Sequence, residues 1–325
     1  MKPLELHLRA FTRNRLFMPL TVTVALLLVN VLFQPNFLAP RVVRLNILTF
    51  SPPILVAMGQ AIIMIGGNLD LSVGSGVSLL NCWVGINMSL QAGMSGHNAL
   101  ILVTGLLMAL SMGLIDGVIV GLFKVPAFIA TFATSFIWLG LAIMIAPIPG
   151  GAVPRSFVHF FTFYVGPVNV MLLIIVSAAL AWRVVRWFRL GRYVYAVGSS
   201  WEASYASGIQ VSRITLASFA LGWCYVYLGT LALTAQTRTS DSAVGDPFAL
   251  NSIAAAVIGG VSMNGGSGSP VGALLGAIVL SIVMNIVYFS GLPTSLQVLV
   301  RGVIIIAALG LTVVAKDPRL GSERG

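Results

Sequence analysis

Charge is the scarcest feature of this 325-residue chain: 8% of residues are Asp, Glu, Lys or Arg, and eight of those are acidic. A soluble domain carries about a quarter charged residues, so a water-exposed globular surface is excluded for most of the chain. Cysteine is nearly absent. Cys82 and Cys224 both sit in apolar segments, too isolated for a disulfide framework or a zinc motif. Three scattered histidines (His7, His97, His159) form no metal-ligand spacing. None of the three lysines (Lys2, Lys124, Lys316) follows a glycine, so the chain contains no Gly-x-x-x-x-Gly-Lys phosphate loop. No paired carboxylates and no nucleophile–base pairing stand out either. These absences leave a membrane enzyme with little support.

Apolar runs are what remain. The chain is 58% hydrophobic with a mean hydropathy of +1.00, the composition of a polytopic membrane protein. Requiring ~20 apolar residues per crossing predicts about ten spans. They fall at residues 16–33, 47–66, a third from the break at 67–75 to about 90, 99–123, 127–145, 163–182, 214–234, 248–261, 271–289 and 296–315. Residues 34–46 read as a connector. The expected class is therefore all-α, a membrane helical bundle, with a terminal segment at 1–16, one transmembrane domain at 17–315 and a tail at 316–325. The first apolar run lacks a convincing cleavage site and reads as a membrane helix rather than a removed signal.

The net charge of +10 is compatible with nucleic-acid binding, but the basic residues flank apolar spans instead of gathering on one soluble face. Placing the N-terminus in the cytoplasm puts thirteen basic residues inside: Lys2, Arg9, Arg13, Arg15, Lys124, Arg183, Arg186, Arg189, Arg192, Arg213, Lys316, Arg319 and Arg324. Four (Arg41, Arg44, Arg155 and Arg238) fall outside. That bias predicts both termini and the polar interval 183–213 on the cytoplasmic side of the membrane. The spacing of Arg183, Arg186, Arg189 and Arg192 continues a helical face out of the bilayer. Such a face anchors on anionic lipid or meets a partner.

Inside this interval Ser199 reads as an N-cap, Glu202 as its capping-box partner and Gly208 as the left-handed C-terminal stop. A helix of about two turns is unstable alone. Trp201 and Tyr205, four apart, share a face suited either to a groove on another protein or to the lipid interface.

Four stretches carry a resemblance. Gly198, Glu202, Ala203, Gly208 and Ile209 resemble the coupling loop of bacterial ABC importer permeases of the ribose/xylose/galactose type. Leu69-Asp70-Leu71-Ser72-Val73-Gly74-Ser75 is similar to that family's Ile-Asp-Leu-Ser-Val-Gly-Ser, and Lys124-Val125-Pro126-Ala127-Phe128-Ile129-Ala130-Thr131 to its Lys-Val-Pro-Pro-Phe-Ile-x-Thr. Residues 258–269 resemble its Gly-Gly-x-Ser-x-x-Gly-Gly-x-Gly-Ser. The resemblance implies a permease without its own ATPase, working beside a second permease copy (homodimer or close paralogue). A cytoplasmic ATPase carrying ATP and Mg would dock on Gly198, Ser199, Trp201, Glu202, Ala203, Tyr205, Gly208 and Ile209, and an extracytoplasmic binding protein would deliver a sugar. No cofactor is expected on this chain.

The sequence departs from the family at Asn68, at Asp116 (usually Asn) and at Ser267 (often Arg). In residues 248–253 a Tyr-Glu-Leu-Asp-Ala-Ile pattern has lost both acids, at Ala249 and Asn251. Candidates for the translocation path are Asn68, Asp70, Ser72, Ser75, Asn81, Phe128, Thr131 and Asn285, with Thr134 beside them. Asp70 is either a helix cap or part of the transport chemistry. Gly265, Gly266 and Gly268 permit a tight turn or close packing, and Gly272-x-x-x-Gly276 is a packing motif. An ion-coupled secondary transporter, using Asp70 and Asp116, is the alternative.

Overall fold

The computed structural model describes residues 17–34, 36–88, 96–291, 293, 296–297, 299–300, 302–303 and 306. The segments expected at 1–16 and 316–325, the end of the third span and most of the last one lie outside these. Twelve helices are seen among the described residues: α1 (Phe17–Phe33), α2 (Pro40–Ile65), α3 (Val73–Asn87), α4 (Gly96–Gly121), α5 (Ala127–Ile145), α6 (Arg155–Thr162), α7 (Val170–Trp187), α8 (Arg189–Ser199), α9 (Trp201–Ala206), α10 (Val211–Thr237), α11 (Asp246–Ile258) and α12 (Pro270–Phe289). A hairpin of β1 (Tyr164–Val165) and β2 (Val168–Asn169) precedes α7. Six helices (α2, α4, α5, α7, α10 and α12) are long and apolar enough to cross a membrane. The chain is a multi-pass helical membrane protein.

Two boundaries differ from the sequence reading. Residues 40–46 are the first turns of α2, not a connector. Pro40 starts the helix because its ring presets a helical φ and its missing N–H is one the first turn does not use. The span expected from 163 begins at Val170, because the hairpin occupies 164–169 and the Asn169 side chain caps the helix, accepting from the Met171 N–H at 2.8 Å.

Burial separates central from peripheral helices. The most apolar window of α2 is 72% buried and that of α10 61%, against 22% for α7 and 28% for α5. The last two present their outer faces to lipid or to another protein chain. Lipid tails are as apolar as leucine, so close backbone approach rather than hydrophobic burial holds such a bundle together. Small residues supply that approach. Along α4, Gly105, Ala109, Gly113, Gly117 and Gly121 recur every four residues. A methyl on Gly113 would lie 2.5 Å from Trp223 of α10, and one on Gly117 2.9 Å from the Leu216 Cα. The α2–α10 crossing is as tight: a methyl on Gly59 would lie 2.5 Å from the Gly222 carbonyl oxygen. On α12, Gly276 meets the Ala255 carbonyl of α11, so the Gly272-x-x-x-Gly276 motif is a packing seam.

Candidate functional site

The 183–213 interval is folded back rather than straight. α7 stops at Trp187, and Phe188, extended at φ −77° and ψ 163°, turns the chain into α8. The continuous basic helix expected through Arg192 is thus broken. Gly191 permits the corner, because a methyl there would lie 2.4 Å from the Val185 carbonyl oxygen. Arg183, Arg186 and Arg192 consequently line a cavity of about 640 Å³ with Trp187 and Tyr195. The Arg186 guanidinium sits 5.3 Å from the Tyr195 ring centre. Burial pushes the Tyr195 phenol above its ordinary range, and its hydroxyl donates to the Gly268 carbonyl at 2.9 Å.

The end of α8 packs backbone to backbone on two loops. One leaves α2 and the other joins α11 to α12. The Gly266 N–H donates to the Ile65 carbonyl at 2.9 Å. A methyl on Gly198 would lie 1.9 Å from that same carbonyl oxygen and 3.0 Å from the Gly67 nitrogen. Gly265 and Gly266, at φ +82° and +68°, make the left-handed turn and the close approach together.

On this junction stands α9. Its N-cap is Ser200, not Ser199: the Ser200 Oγ accepts from the Ala203 N–H at 3.2 Å, while the Ser199 hydroxyl donates back to the Tyr195 carbonyl within α8. Glu202 accepts from the Ser200 hydroxyl rather than closing a capping box with residue 199. At the other end Gly208, φ +78°, donates to Tyr205 O and Ile209 to Ser204 O, a Schellman stop. Trp201 and Tyr205 are 56% and 73% exposed, and Glu202 and Ala203 are exposed beside them. With Asn68, Lys124 and Arg213, the residues Trp201, Glu202 and Tyr205 border a cleft of about 1390 Å³. So short a helix is capped at both ends, follows the glycine-packed end of α8, and presents an aromatic face that is left exposed among the described residues.

Four of the other candidates, Asp70, Ser72, Thr131 and Thr134, serve a buried polar network at the start of α3. The Asp70 carboxylate accepts from the Ser72 N–H at 2.8 Å, from the Ser72 hydroxyl at 2.7 Å and from the Trp223 indole N–H at 3.0 Å. Asp116 accepts from the Thr134 hydroxyl at 2.7 Å and lies 2.9 Å from the Ser72 oxygen. Thr131 accepts from the Leu71 N–H at 3.0 Å. These contacts join α3, α4, α5 and α10. The Asp70 carboxylate closes a turn just ahead of α3 through the Ser72 N–H, while the N-cap position itself is Ser72.

Asn81 is fully engaged with Thr234, Thr239 and Asp241. Ser75 is half-buried in α3. Phe128 is 59% exposed on the bundle's outer face, stacked on Phe132. Asn68 lies at the α9 end.

Asn81, beside the close of α10, lies toward the end of the bundle opposite α9, and Asn285 lines a second cavity of about 520 Å³ that opens there between α2, α10, α11 and α12. The Asn285 amide lies 3.4 Å from the Asn46 Oδ1. Sequence reasoning missed Asn46 and Gln236 here, because isolated amides on apolar helices carry no periodic signal, and it marked Asn251 only as a departure from the family pattern. The Pro52-Pro53 pair, inside α2 and lining the same cavity, was the available pointer.

Comparison with known proteins agrees with the motifs. Residues 43–309 match the profile of the family described as the permease component of the branched-chain amino acid transport system. The chain is 29% identical to the ribose import permease protein RbsC of Haemophilus influenzae over 97% of this chain and 96% of that one. It is 30% identical to RbsC of Bacillus subtilis over 87% of this chain and 88% of that one. With the autoinducer 2 import system permease protein LsrC of Escherichia coli it shares 31% over 88% of this chain and 84% of that one. No solved structure matches. A transport component rather than an enzyme, the chain belongs to this family of importer permeases of the ATP-binding-cassette type.

Proposed function

We propose that this chain is the membrane subunit through which an ATP-binding-cassette importer moves a monosaccharide or similar small polyol, with α9 as the helix on which a separate cytoplasmic ATPase docks. The observation that carries this reading is the exposed Trp201–Tyr205 face on a helix that directly follows the α8 end, which packs backbone to backbone on the loops after α2 and before α12. Helices are stiff, and a push on α9 reaches Ile65 through Gly198 and Gly266 with no flexible side chain between. Both α2 and α12 then carry the displacement to the far end, where they line the second cavity.

The arginine bias places the α9 end and both termini in the cytoplasm, so that cavity faces the outside and the solute-binding protein. About ten membrane-inserted helices result when the shorter apolar helices α1 and α11, the 15-residue α3 and the segment at 296–315 join the six long ones, within a single domain at 17–315. A second permease copy completes the pore in the bacterial inner membrane, and ATP and Mg sit on the ATPase. Ribose enters the reading through the names of the relatives.

The test combines energetics and docking. Uptake by membrane vesicles carrying the whole complex should need ATP and survive an uncoupler. Trp201→Ala with Tyr205→Ala should abolish both uptake and ATPase co-purification without lowering the melting temperature, because both side chains are exposed. A double variant that keeps its ATPase and its uptake refutes the docking assignment.

A further inference from the structure

The lining of the outer cavity bears on where a solute is held within the membrane domain and on which solutes it excludes. The cavity is lined by amides, hydroxyls and aromatic rings, and among the described residues no acidic, basic or histidine side chain lines it. Four amides reach it: Asn46 from α2, Gln236 from α10, Asn251 from α11 and Asn285 from α12. The Asn46 Nδ2 is buried and has no hydrogen-bond partner, although its Oδ1 faces Asn285. A buried donor left unpaired costs free energy until something accepts from it.

Acceptors are supplied by the backbone. Pro52 and Pro53 have no N–H, so the carbonyls of Leu48 and Thr49 lose their helical partners. A helical carbonyl lies beneath the residue four positions on. Thr49 lines the cavity with both proline rings, whereas Leu48 does not, so of the two freed oxygens the Thr49 carbonyl belongs to a lining residue. Phe50 and Phe248 add flat apolar faces. About 520 Å³ is the size of a small-ligand site.

Together these groups offer neutral donors, neutral acceptors and ring faces. That matches a polyhydroxylated solute, whose C–H faces stack on aromatics while its hydroxyls pair with amides and carbonyls. It mismatches an amino acid, whose ammonium and carboxylate would both enter without a counter-charge at steep cost. The loss of the acid at residue 251, noted from sequence, falls on this lining. We propose that this cavity is the site where an uncharged, polyhydroxylated solute is held within the membrane domain, with Asn46, Asn251 and Asn285 as its hydrogen-bonding groups, and that its lack of charge discriminates against zwitterionic amino acids. The proposal rests on the transport reading above.

The experiment needs an arm that does not depend on transport. Asn285→Cys in the full chain, reconstituted in liposomes, is treated with methanethiosulfonate reagents bearing a hydroxyl, a trimethylammonium or a sulfonate group, each rate divided by that for a free thiol. Wild type, with Cys82 buried and Cys224 half-buried, sets the background. The hydroxyl reagent should react roughly tenfold faster than either charged one. Equal rates for all three, or no reaction with any, overturn the proposal.

In the second arm the assembled complex takes up labelled D-ribose or L-leucine. Asn46→Leu with Asn285→Leu should lower kcat/KM for D-ribose roughly tenfold while the ATPase still co-purifies. An unchanged kcat/KM overturns the proposal, as does wild-type uptake of leucine in preference to ribose. Wild-type uptake that needs no ATP instead sinks the transport reading, and the thiol rates still decide the cavity's charge preference.

Discussion

Replacing Gly198 by alanine perturbs the junction beneath α9 with the smallest possible side chain. Gly198 lies in the last turn of α8 with ordinary helical φ, so intrinsic propensity alone would make alanine better by about 1 kcal/mol. The surroundings reverse the sign. The new methyl would stand 1.9 Å from the Ile65 carbonyl oxygen, 2.7 Å from the Gly266 nitrogen and 3.0 Å from the Gly67 nitrogen. All three are backbone atoms and none can rotate away, so the α8 end must move by about 1 Å or more, at an overpacking cost of about 1–3 kcal/mol. That movement also breaks the Gly266–Ile65 hydrogen bond, worth about 1 kcal/mol.

The net loss is about 1–3 kcal/mol, and α9 ends displaced relative to α2 and α12. Thermal unfolding of the purified chain measures the first effect. ATP hydrolysed per solute moved by the assembled complex measures the second, and should rise severalfold. Gly140→Ala is the control, since a methyl there meets nothing within 4 Å. If Gly198→Ala melts and couples like wild type, the junction does not transmit motion and the mechanical argument fails.

Two further predictions concern caps and buried polar groups. Ser200→Ala should destabilise α9 by about 1 kcal/mol, seen as faster amide exchange across residues 201–206, while Ser199→Ala leaves that exchange unchanged. Trp223→Phe removes an N–H donor from the buried Asp70 and should cost about 1–3 kcal/mol in thermal unfolding. Trp138→Phe, at a buried indole whose N–H has no partner, should cost less, and equal costs would show that the Asp70 contact contributes nothing.

Local signals and tertiary contacts divide the information cleanly in particular places. Apolar run length located 127–145 to the residue, because a helix in lipid must satisfy its own backbone and any polar interruption shows. Gly208 was legible for the same kind of reason: few residues but glycine sit easily at φ +78°. The cap was misplaced by one residue because Ser199 and Ser200 are chemically equivalent, and only the end of α8 decides which hydroxyl faces the next helix. Asp70 was legible as important but not as a partner of Trp223, 153 residues away.

What the sequence by itself determined is the chemistry available at each level: a membrane bundle without catalytic groups, a polar interval bearing a short capped helix, and a set of glycines too frequent for ordinary helices. What only the tertiary structure decided is convergence. The loops after α2 and before α12 meet under α9, and four amides from four helices meet at the opposite end, because backbone approach at glycine crossings sets which faces come together. Such approach depends on atoms far apart in the chain, and no local pattern records it.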